Sequence, residues 1–225
     1  MSLTNSPPTA FEDDDLGSAR DPRVAAFARD GFLGPLRIFT PAECHRIAAY
    51  LHREEHPAPP DWDKGRAVHE RFLYDLAIHP ALLSPLTALL GDDVVLWGAS
   101  AVSRGPGDIH AWHSDIESSS PDGRFLTVWI GLEHTSRESA LQVISRSHRL
   151  GKTVQEARLE RGLRRDLATP EAMLAAVRER EPQALLVQPD MTNGDALLFD
   201  GRLWHGSNNS RKWGRRLALL LQYGA

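Results

Sequence analysis

His113, Asp115 and His205 are the residues of this chain whose types and spacing could act together as a reaction centre. Two imidazoles and a carboxylate can hold a divalent iron on one face and leave the opposite coordination positions open. His113 and Asp115 stand two apart in a segment that reads as strand, where residues two apart face the same side. One ion at about 2.0–2.2 Å from each donor can then bind both. His205 follows 92 positions later, after a strand, a turn and a second strand, and sheet sandwiches bring late strands beside early ones. Arg215 and Arg216 open the last strand. A guanidinium there can clamp the carboxylate of a small acid that also chelates the metal. The set points to oxygenase chemistry.

Chance has to be weighed for each part. With 10 histidines and 30 acids, about one His-x-Asp/Glu spacing is expected by accident, and the chain supplies two. The second, His52-Arg53-Glu54, falls in an expected helix, where residues two apart diverge by about 200° and cannot share an ion. His110 is the nearest rival ligand, but a regular strand puts it on the face opposite His113. Alternation also splits Arg215 from Arg216, one to each face. Parity alone does not choose between them, although the small Ala218 beside Arg216 would leave room for a bound acid.

These side chains need a scaffold. From Pro22 the pattern is helical, then Asp30-Gly31-Phe32-Leu33 turns extended. Thr40-Pro41-Ala42-Glu43 starts a helix with a capping box and a proline in its first turn, running to about Arg53. A proline-rich loop spans Pro57 to Trp62. Helices near Glu70–Ile78 and Pro80–Leu90 follow, the latter stopped by Gly91. After Asp93 the chain reads as eight short strands: 94–102, 109–116, 125–133, 140–144, 184–188, 196–199, 203–205 and 216–223. The expected fold is mainly β with flanking helices, a jelly-roll double sheet. Residues 1–21 read as a mobile tail and 22–225 as one domain, with a helical lead-in over 22–91 and a jelly-roll core over 92–225. The charged stretch 151–182 reads as a solvated surface excursion, a lid over the mouth of the sandwich.

Composition narrows the function classes. A net charge of −4 gives no reason to expect nucleic acid or an anionic membrane as partner. No apolar run reaches the roughly 18–20 residues that span a bilayer. The polar, acidic N-terminus lacks the order of a signal peptide. Cys44 is the only cysteine, so neither an intrachain disulfide nor a multi-thiolate zinc site can form. A cytoplasmic enzyme acting on a small molecule is expected.

From Arg29 to Tyr223 the chain resembles the phytanoyl-CoA dioxygenase family of iron(II)- and 2-oxoglutarate-dependent oxygenases. The likeness is carried by Asp30-Gly-Phe-Leu33 with Phe39-Thr-Pro-Ala-Glu-Cys44, and by Pro85-Leu-Thr-Ala-Leu-Leu-Gly91. Trp112-His-Ser-Asp115, Trp129-Ile-Gly-Leu-Glu-His134, Leu141-Gln-Val-Ile144, Gly194-Asp-Ala-Leu-Leu-Phe199 and His205-Gly-Ser207 with Arg216 complete it. The resemblance implies a double-stranded β-helix of the cupin type, with His113, Asp115 and His205 as iron ligands. It selects Arg216, because the family's arginine stands eleven residues after the distal histidine. Trp129 and Ser207 match positions that line the 2-oxoglutarate pocket. The implied cofactors are Fe(II), 2-oxoglutarate and O2, and the implied reaction is hydroxylation with release of succinate and carbon dioxide. Related halogenases carry a small residue where Asp115 stands.

Trp112-His-Ser-Asp-Ile-Glu117 further resembles the ectoine hydroxylase branch, whose other hallmarks do not stand out. Two departures bear on the substrate. Relatives usually show a glycine near Ser139-Ala140, and Pro-Gly-Ser-His in place of Ser145-Arg146-Ser147-His148. Arg104, His110 and Glu117 flank the metal strand and could meet a polar substrate. Two rival readings remain: a cupin-like metalloenzyme that does not use 2-oxoglutarate, and a non-catalytic jelly-roll binding module.

Overall fold

The computed structural model describes residues 21–53, 64–115, 124–162 and 168–225. The expected N-terminal tail (apart from residue 21), the proline-rich loop, Glu54 and Glu117 lie outside these residues. The helices are α1 (Pro22–Asp30), α2 (Pro41–Leu51), α3 (Arg66–His69), α4 (Arg71–Ala77), α5 (Pro80–Leu90), α6 (Val154–Glu160) and α7 (Pro170–Arg178). The strands are β1 (Phe32–Arg37), β2 (Val95–Arg104), β3 (Ile109–His113), β4 (Phe125–Glu133), β5 (Leu141–Ile144), β6 (Leu186–Val187), β7 (Asp195–Asp200), β8 (His205–Asn208) and β9 (Arg216–Gly224).

Local chemistry sets the helix starts. Thr40 Oγ1 accepts the Glu43 amide while Glu43 Oε2 accepts the Thr40 amide, the capping box of α2. Thr153 and Glu156 repeat it on α6. Such a cap contributes about 1 kcal/mol. The α5 helix spans the expected residues and ends at Gly91, whose φ of 91° suits a residue without a side chain.

Two antiparallel sheets face each other, ordered β1-β7-β4-β9-β2 and β3-β8-β5-β6, so the jelly roll is a sandwich rather than a closed barrel. The extended segment expected after Asp30 is β1, which pairs with β7 at the edge of the larger sheet. Strand alternation divides the larger sheet into two apolar surfaces. Leu126, Val128 and Ile130 of β4 and Leu217, Leu219 and Leu221 of β9 turn outward onto a core shared with α2, α4 and α5. Each buried leucine or isoleucine contributes about 1.5–3 kcal/mol. Trp129, Leu197, Phe199 and Ala218 turn inward against Leu141 and Val143 of the smaller sheet.

The stretch 151–182 differs from expectation. Its helices carry charge on one side only; Val154, Ala157, Met173, Ala176 and Val177 are buried against Trp112, Ile144 and Trp204 on the outer face of the smaller sheet. The charged residues dominate its composition, which hides the helical spacing of the apolar ones. Among the described residues no single helix is long and apolar enough to cross a membrane. The α4–α5 pair passes such a test only jointly and is bent by 59°.

Candidate active site

The smaller sheet builds the metal end. In the β3–β8 pairing His113 stands directly opposite His205, and His110 opposite Ser207. Ala111 and Trp112 of β3 therefore stand against the single Gly206 of β8, a bulge that breaks strand parity. Its consequence corrects the expectation for His110. The bulge brings its ring to 4.3 Å from that of His113, on the same side of the strand rather than the opposite one.

Asp115 comes two residues after His113, just past the strand end. Its Oδ1 lies 3.4 Å from His113 Nε2 and 3.7 Å from His205 Nε2. The three candidate donor atoms all fall within 4.8 Å of one another. His113 and His205 each place Nδ1 2.9 Å from the backbone carbonyl two residues earlier, of Ala111 and Leu203. A carbonyl only accepts, so Nδ1 carries the proton, leaving each Nε2 lone pair free beside the carboxylate. Thr127 of β4 donates to Asp115 Oδ2 at 2.6 Å, which turns Oδ1 toward the imidazoles. Every atom a metal would not use is thus already bonded to protein, and the two nitrogens and one oxygen left over suit iron(II).

Burial sets the charge state of this cluster. It pushes His205 down to about 4, helped by His113, and pushes His110 down to about 3, helped by His113 and Arg104. For Asp115 burial acts upward, but His205, His113 and Thr127 outweigh it and hold the carboxyl well below the usual range. The result is a carboxylate beside the neutral imidazoles of His205 and His110. Beneath them the Phe199 ring lies 4.6 Å from His205. Outside, Gln155 of α6 accepts from the Ser114 amide at 3.2 Å and donates to its carbonyl at 3.0 Å, pinning the loop between the ligands.

Arg216 opens β9 and is 1% exposed, whereas Arg215 is exposed; the structure settles what parity left open. Its face is shared with Ala218 and looks between the sheets. One amino group donates to the Ser139 carbonyl at 2.6 Å, and the guanidinium carbon lies 5.3 Å from the Trp129 ring centre. Arg216 Nε, Trp129 Nε1 and Ser207 Oγ are all buried without a hydrogen-bond partner among the described residues. Burial, then Arg104, pushes Arg216 down to about 10, and no acid of the described residues acts the other way. A buried cation with donors to spare fits a bound carboxylate.

Thr127 and Gln155 escaped the sequence reading. Thr127 did leave a trace: alternation puts it on the same face as Trp129, a polar residue turned into an apolar interior. His52 lies elsewhere, its Nε2 meeting Glu133 Oε2 at 2.8 Å. A cavity of about 590 Å³ between α7 and the smaller sheet touches His110 and Ser207 but none of the three metal-site residues.

The sequence profile of the phytanoyl-CoA dioxygenase family matches residues 27–217. The chain belongs to the phytanoyl-CoA dioxygenase family. With that membership comes the class of chemistry, oxygenation dependent on iron and 2-oxoglutarate. No curated protein matches the chain significantly. Among solved structures, HygX from Streptomyces hygroscopicus with nickel and 2-oxoglutarate bound superposes with a TM-score of 0.70 at 17% identity, over 90% of this chain and 85% of that one. EctD from S. alaskensis in its apo form gives 0.66 at 22% identity, over 96% and 80%. The epimerase SnoN, in complex with Fe3+, alpha-ketoglutarate and nogalamycin RO, gives 0.67 at 17% identity, over 90% and 82%. At these identities the likeness speaks for the double-sheet fold that members of the phytanoyl-CoA dioxygenase family share.

Proposed function

We propose that residues 22–225 act as one cytoplasmic domain that hydroxylates a small metabolite or natural-product intermediate. His113, Asp115 and His205 hold iron(II) through two Nε2 atoms and Oδ1. Arg216 clamps the distal carboxylate of 2-oxoglutarate, with Trp129 and Ser207 along the same pocket. When bound, iron and 2-oxoglutarate together activate dioxygen for insertion into a substrate C–H bond, with succinate and carbon dioxide released.

The protein's own part is position, charge and exclusion of water. The Ala111 and Leu203 carbonyls fix both tautomers. Thr127 fixes the carboxylate. Phe199, Leu197 and Val143 keep the interior dry. A carboxylate at position 115 fills the place that halogenating relatives leave to chloride, which favours hydroxylation.

One observation carries this reading: Arg216, buried and without an acid partner among the described residues, faces the same interior as the triad. Its test is an anaerobic titration with iron(II) and then 2-oxoglutarate, followed by succinate release with candidate substrates. Metal-dependent binding of 2-oxoglutarate that disappears in Arg216→Ala is expected. Turnover that survives Arg216→Ala would select a metalloenzyme without this cosubstrate, and indifference to metal a binding module.

A further inference from the structure

Arg216 is not the only guanidinium at its end of the sandwich. In the β2–β9 pairing it stands directly opposite Arg104. Paired residues of an antiparallel sheet project to the same face with Cβ atoms about 4.5–5.5 Å apart. Like charges placed so destabilise a sheet unless something neutralises them. No carboxylate of the described residues does. Arg104 spends one amino group on the Ser103 carbonyl at 3.0 Å, and Arg216 one on that of Ser139. Among the described residues neither has an acid partner.

The backbone at Arg104 is also held in place. Asn209, fully buried just after β8, donates from Nδ2 to the Arg104 and Gly105 carbonyls, both at 3.0 Å, and its own carbonyl accepts the Gly107 amide. Asn209 therefore ties the end of β2 to the strand that carries His205 and Ser207. The two cations are paired across the strands, and the Trp129 indole, unpartnered among the described residues, lies against Arg216. A single carboxylate between the paired arginines would answer both charges.

We propose that Arg104 is a second arm of the clamp, so that the distal carboxylate of 2-oxoglutarate is held by two guanidiniums rather than one. This gives Arg104 a cosubstrate role instead of the substrate contact that its sequence position suggested. The inference rests on the functional reading above.

Calorimetry on the manganese-loaded protein tests it without turnover, using 2-oxoglutarate and 2-oxopentanoate, the same chain with a methyl in place of the distal carboxylate. In Arg104→Gln, 2-oxoglutarate affinity should fall at least tenfold while that for 2-oxopentanoate stays within twofold. Arg104→Lys, which keeps the charge, should recover part of the loss. Unchanged 2-oxoglutarate affinity in Arg104→Gln, alongside a large loss in Arg216→Gln, overturns the second arm and leaves the function standing. Equal weakening of both acids overturns it as well, since that marks damage to the metal end. Failure of the wild-type protein to bind 2-oxoglutarate in a metal-dependent way removes both.

Discussion

The two ends of the interior handle polar groups in opposite ways. At the metal end each imidazole has its Nδ1 bonded to backbone and the carboxylate has one oxygen bonded to Thr127. At the basic end Arg216 Nε, Trp129 Nε1 and Ser207 Oγ have no hydrogen-bond partner among the described residues. One end is built so that donors stay aimed whether or not an ion is present. The other holds a buried cation and donors unmet among the described residues, which the proposed 2-oxoglutarate carboxylate would answer. The difference teaches that geometry is fixed where coordination needs accuracy, and stability is given up where affinity is needed.

Removing a donor should break the metal end outright. His113→Ala, Asp115→Ala and His205→Ala are each expected to abolish saturable iron(II) binding, while binding as tight as in the wild type would mean the ion sits elsewhere. The basic end should then show two opposite effects. Arg216→Met is expected to weaken 2-oxoglutarate binding by about 2–5 kcal/mol. In the ligand-free protein the same change should raise the melting temperature, because a lone buried charge is removed. A lower melting temperature would refute this.

Thr127→Val sharpens the contrast. Loss of its hydrogen bond frees Asp115 to turn, and metal affinity is expected to fall about 10–100-fold. No change on calorimetric titration would show that Asp115 is aimed by something else. Smallest is the response of the metal-free protein to acid. His205 and His110 sit at about 4 and about 3, below the ordinary value of about 6.5, so between these limits the unfolded chain binds more protons than the folded one. Stability should be full above about pH 6.5 and decline as pH falls toward 4. Replacing His110 with Gln should flatten part of that slope in thermal melts, and an identical slope would contradict it.

Much of this was legible beforehand, for physical reasons that differ by element. The Thr40 and Glu43 capping box is chemistry local to four residues, and α2 starts where it says. The strand over 125–133 is a short, largely apolar run set off by turn residues, and it spans those residues. His113 and Asp115 could be paired because two is the period of a strand. What the sequence hid depends on contacts between distant segments. The bulge that turns His110 toward His113 arises from pairing with β8; strand parity could not separate Arg216 from Arg215, which the family resemblance did. The buried faces of α6 and α7 were masked by the arginines and glutamates around them.

The indole of Trp129 lies 5.3 Å beneath the Arg216 guanidinium, inside the sandwich and shielded from solvent. An indole's emission responds to the charges around it. This molecule therefore carries its own optical gauge at the basic corner, one that reports on what occupies that corner without any attached dye.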